Sequence, residues 1–123
     1  MTAMPNLIAY WDAVADELHA QAVEFKTLAS AAARAEVAYR RAKSKRRYRA
    51  KVTDGIRSVA EADLVTEADD EVLDLMEARN LSQALVDAAR TMINVQRERL
   101  EFGRTCISAE KASDRQASMQ YRP

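Results

Sequence analysis

Val52-Thr53-Asp54-Gly55-Ile56-Arg57-Ser58-Val59-Ala60-Glu61 decides the fold, because a helix stop and a helix start stand side by side within it. A β-branched pair weakens the helix at Val52-Thr53, and the Asp54-Gly55 step tolerates the left-handed backbone on which helices end. Ser58 then occupies an N-cap position, with Glu61 three residues on, the two halves of a capping box. The chain is therefore expected to reverse at 54–58. One helix over about 6–53 precedes the turn and a second over about 59–106 follows it, so that residues 1–107 form an all-α, long antiparallel helical hairpin of coiled-coil type.

Upstream of the turn, Pro5 and Asn6 suit a helix start, since proline lacks an N–H that the first turn would leave unpaired. From there Leu7, Trp11, Val14, Leu18, Gln21, Phe25, Leu28, Ala32, Ala35, Tyr39, Ala42 and Arg46 recur at steps of four and three. This is a heptad seam, which calls for a partner helix, and only Gln21 and Arg46 interrupt it.

Downstream, helix two carries two adjacent seams. One runs through Leu81, Leu85, Ala88, Met92, Val95, Arg99, Phe102 and Cys106, the other through Leu75, Ser82, Val86, Ala89, Ile93 and Leu100. Together they make an apolar face broader than one antiparallel partner covers. Self-association is the expected remedy, with Leu85, Val86, Met92, Ile93, Leu100 and Phe102 at the interface between copies. Gly103 is expected to fray the helix end, and the polar, unpatterned residues 108–123 read as a flexible tail.

Composition agrees with long helices. The 123 residues include two glycines and two prolines, and the length fits a single domain. Nineteen basic and nineteen acidic side chains cancel, so any polyanion binding must come from where the charges lie. Cys106 is the one cysteine and has no disulfide partner in the chain. With neither a signal-type start nor a run of 18 apolar residues, a cytoplasmic protein that does not enter membranes is expected.

The strongest local feature is the basic run Arg40, Arg41, Lys43, Lys45, Arg46, Arg47, Arg49 and Lys51, which contains Tyr48 and no acid. Like charges at i, i+4 repel, so this segment needs an anionic companion. The first candidate is internal. Glu61, Asp63, Glu67, Asp69, Asp70, Glu71, Asp74 and Glu77 form an acidic run, and reversal at Asp54-Gly55 brings Lys51 near Glu61, Arg46 near Thr66 and Arg40 near Val72. The second is nucleic acid, with lysine and arginine on phosphates and Tyr48 stacked on a base. An acidic protein partner is the third.

Catalytic and metal chemistry find no support. Asp63, Glu67, Asp70 and Asp74 share a helix face but lack the glycine-bearing loop or histidine of a cation site, so no metal or other cofactor is expected. His19 stands alone, and Ser44 lacks the glycines of a phosphate loop. Glu24 with Glu36, and Glu98 with Glu101, read as solubilising faces. Trp11, Phe25 and Phe102 read as packing anchors, and neither an enzyme nor a small-molecule substrate is indicated.

The order of features resembles the small recombination mediators of tailed bacteriophages, the family typified by UvsY. The resemblance covers roughly residues 30 to 112. It rests on a helix ending in Arg46-Arg47-Tyr48-Arg49-Ala50-Lys51, a short polar turn, and a second long helix ending in Arg97-Glu98-Arg99-Leu100-Glu101-Phe102-Gly103-Arg104. It implies an oligomeric assembly in the host cytoplasm that binds single-stranded DNA and helps to load a recombinase, with Arg40 through Lys51 as the contact surface. The rival expectation is a structural or adaptor protein, a virion component or an inhibitor, whose charge runs only stabilise the hairpin.

Overall fold

The computed structural model describes residues 3–120, and among these every regular element is an α-helix. Helix α1 spans Ala3–Val52, α2 spans Val59–Glu67 and α3 spans Asp70–Gln120. The chain divides into two compact units, one made of Met1–Glu24 with Ala89–Pro123 and the other of Phe25–Ala88.

The second of these, the central unit, contains the chain reversal. Helix α1 ends because the Ile56 N–H reaches back to the Ala50 carbonyl at 2.9 Å while Gly55 takes φ 68°. That bond reaches back six residues, with the left-handed glycine just before the donor, and it satisfies a carbonyl the helix end would leave bare. Nothing crowds the Gly55 α-carbon, so the glycine is required by backbone angle alone. Ser58 then caps α2, its Oγ accepting from the Glu61 N–H at 3.4 Å.

The expected second helix is in fact two. Helix α2 stops at Ala68, and Asp69 restarts the chain as α3 by accepting the Val72 N–H on Oδ2 at 3.2 Å. An aspartate that caps its own downstream N–H groups competes with helix continuation, which is why the break falls there. Small side chains line the interior at this corner: Ala50, Ala62 and Thr66 are fully buried, with Val72 beside them in burial. The Thr66 hydroxyl satisfies itself on the Ala62 carbonyl at 2.7 Å. Along α1 in this unit, Phe25, Leu28, Ala32, Ala35, Tyr39, Ala42 and Arg46 are each partly withdrawn from solvent.

In the terminal unit α1 and α3 again run antiparallel. The Trp11 indole N–H donates to the Leu100 carbonyl at 3.2 Å, and Gly103 is buried under the same indole. Val14, Ile93 and Gln96 complete the buried set. Gly103 therefore does not fray α3; it is the place where the tryptophan fits. The helix continues to Gln120, through residues expected to lie beyond its end, with Ile107, Glu110 and Asp114 partly covered. Alanine, glutamate, lysine, arginine and glutamine supply the propensity in that stretch, and no proline interrupts it. Residues 121–123 of the expected tail lie outside the described residues.

Candidate nucleic-acid interface

Every residue of the basic run belongs to the last turns of α1 in the central unit, and the structure sorts the run into two sets. Helical rotation turns Arg46 and Arg47 toward the acidic segment. Arg46 Nη1 donates to Asp54 Oδ2 at 3.1 Å, and its Nε lies 3.3 Å from Asp69 Oδ1. Arg47 Nη2 lies 3.0 Å from Asp63 Oδ1, and Arg49 Nη2 lies 3.9 Å from Asp69 Oδ1. The Arg46 and Asp69 side chains are only 15% and 21% exposed, so this pair is screened less than an open surface pair. Alignment is poor all the same: Nε of Arg46 and of Arg47 and Oδ1 of Asp63 are buried without a hydrogen bond of good geometry.

Arg40 instead pairs along its own helix, Nε to Glu36 Oε1 at 2.8 Å. Glu36 also receives Arg79 of α3 at 3.6 Å, and the Arg79 guanidinium lies 4.4 Å from the centroid of the Tyr39 ring. Lys43 approaches the same ring at 5.8 Å. Tyr39 thus carries two cations, a role that sequence spacing did not suggest because Arg79 comes from α3.

The other set is left without acidic partners. Arg41, Lys45 and Lys51 are exposed and make no ion pair among the described residues, and Tyr48 projects into solvent. Arg41, Lys45 and Tyr48 fall on one helical stripe, and Arg34, Val37 and Val52 extend it at the same three- and four-residue steps, all exposed. At 1.5 Å per residue, Arg41 and Lys45 are about 6 Å apart along the axis. The stripe therefore offers separated cations interleaved with an aromatic face and aliphatic surface.

A mixed cleft of about 310 Å³ lies beside it, lined by Lys45, Arg46, Arg49, Asp69, Asp70 and Glu71 among others. Both signs of charge meet there, so it favours neither anion nor cation. Among the described residues no three acidic, histidine or cysteine side chains are grouped to hold a metal ion, and no helix is long and apolar enough to cross a membrane.

The residues expected at an interface between copies separate as well. Val86 and Ile93 are buried and Leu100 is partly buried within the chain, so they are not available to a second copy. Of the two adjacent seams on α3, theirs is the one turned inward. Leu85, Met92 and Phe102 remain at the surface, Phe102 at 69% exposure, and Leu81 joins them. Comparison with protein-family models, with curated proteins and with solved structures finds no match for this chain.

Proposed function

We propose that this chain is a non-enzymatic, homo-oligomeric accessory protein that binds single-stranded nucleic acid along the outer stripe of α1, in the manner of a phage-type recombination mediator that assists a recombinase. The observation that carries this reading is the set Arg41, Lys45 and Tyr48: two cations without acidic partners and one exposed aromatic ring on one face. Phosphates would neutralise the cations and a base would stack on the tyrosine, which is how sequence-tolerant strand binders work. Unpaired bases are what make such stacking possible, and a duplex hides them. The apolar side chains left exposed on α3 support association of copies.

Titrating a fluorescent oligothymidylate into the protein at two salt concentrations tests the reading. Affinity should fall steeply with salt, by a slope of about 0.7 per phosphate neutralised. Binding that is absent, or indifferent to salt, overturns it.

A second reading, a structural or adaptor protein, is favoured by the ion pairs of Arg46 and Arg47 with Asp69 and Asp63, which spend part of the basic run on joining helices. Its signature is assembly without any strand binding.

A further inference from the structure

We infer that α2, together with the Asp69 corner that follows it, is a displaceable acidic latch, which holds Arg46, Arg47 and Arg49 until the phosphates of a bound strand replace it. This rests on the single-strand reading above and adds its regulation.

Three observations converge. First, the carboxylates of Asp63 and Asp69 stand against three arginines that belong to the same turns of α1 as Lys45 and Tyr48. They occupy the donors that a polyanion lying on that end of the helix would seek.

Second, the occupation is imperfect. Nε of Arg46 and Nε of Arg47 are buried without an aligned acceptor, and so is Oδ1 of Asp63 without an aligned donor. A buried donor that lacks an aligned partner is unfavourable, and a guanidinium meets phosphate oxygens well in a two-pronged geometry. Exchange of carboxylate for phosphate thus improves the hydrogen bonding of the arginines.

Third, α2 is built to come away. It has nine residues, below the length at which a helix holds itself, and it is bounded by the turn around Gly55 on one side and the Ala68-Asp69 break on the other. Its buried anchors are Ala62 and Thr66, small side chains whose release exposes little apolar surface. Of its large apolar residues, Val59 and Leu64 are already exposed and Val65 is half-buried. Little hydrophobic burial opposes its release, and the segment belongs among those expected to open first.

The test compares wild type with two variants of equal charge change, by oligothymidylate titration at low salt. Asp63→Asn with Asp69→Asn removes both latch carboxylates while asparagine keeps the cap on α3. Asp74→Asn with Glu77→Gln alters acids of the same run that make no ion pair among the described residues. Matching far-ultraviolet circular dichroism establishes that all three are folded. The latch pair should bind about tenfold more tightly than wild type and the control pair no more than about threefold. Equal gains in both pairs mean long-range charge alone, which overturns the latch and leaves the strand-binding reading intact; no salt-sensitive binding by any of the three overturns both. Amide hydrogen exchange gives a second measurement on the unaltered chain. With saturating oligothymidylate the amides of residues 59–67 should exchange faster, and unchanged or slower exchange there overturns the latch.

Discussion

The side chain of Trp11 and the α-carbon of Gly103 occupy one site: a β-carbon built on Gly103 would lie 2.9 Å from the indole Cδ1. The indole is also held by its hydrogen bond to the Leu100 carbonyl, so it has little freedom to retreat.

Gly103→Ala should therefore destabilise the protein, although alanine is the better helix former by about 1 kcal/mol. The clash with a bulky ring is expected to outweigh that gain, for a net loss of about 1 to 2 kcal/mol. Urea unfolding of Gly103→Ala and of Trp11→Leu, singly and together, checks it. In the Trp11→Leu background the alanine should become neutral or stabilising, and a penalty that persists there would exclude the indole as its cause.

Gln96 is fully buried, and neither its amide nitrogen nor its oxygen finds a partner. An apolar side chain of similar size removes that desolvation penalty. Gln96→Leu is expected to raise stability by about 1 to 3 kcal/mol, read as a higher urea midpoint at unchanged slope. A lower midpoint would show that the amide is satisfied in solution.

Asp69 both caps α3 and pairs with Arg46. Asp69→Asn gives up only the charge, whereas Asp69→Ala gives up the cap as well. The alanine variant should be the less stable of the two by about 1 kcal/mol, measured by thermal unfolding. Equal losses would mean that the cap contributes nothing.

Arg41 and Lys45 should govern how strand binding responds to salt, and Tyr48 should not. Replacing both cations by glutamine is expected to flatten the dependence of log affinity on log salt by about 1.4. Tyr48→Ala should instead weaken binding by about 1 to 3 kcal/mol at unchanged slope. Interchanged behaviour would relocate the contact surface.

Met92 and Phe102 present apolar side chains to water in the terminal unit. If copies associate there, Met92→Glu with Phe102→Glu should lower the mass seen by light scattering while circular dichroism is unchanged. An identical mass would place the association elsewhere.

Much of this architecture is legible in the residues. The Gly55 stop and the Ser58 start announce themselves by local chemistry, and the positions of α1 withdrawn from solvent recur at the spacing of Leu7, Trp11 and Val14 onward. Local signals fail where tertiary contacts decide. Periodicity offers two adjacent stripes on α3 and cannot say that Val86 and Ile93 turn inward while Leu85 and Met92 do not. Asp69 hides inside an acidic run, where a capping aspartate looks like any solvated neighbour. Gly103 resembles a helix terminator until Trp11 is seen above it. The basic run was conspicuous, yet its division into paired and open arginines depends on which carboxylates the turn delivers, and Arg34, Val37 and Val52 join its open face only once that face is known.

The tight cap at Gly55 also sets an order of events in folding. Contacts such as Arg46 with Asp54 span eight residues, whereas Trp11 and Leu100 are separated by 89. Closing the short loops first shortens the effective chain that the distant pair must still search, so zippering from the bend toward the two ends is the entropically favoured route. Because Trp11 waits for Leu100, the amino-terminal arm of a nascent chain stays unpaired until the segment around Leu100 has left the ribosome.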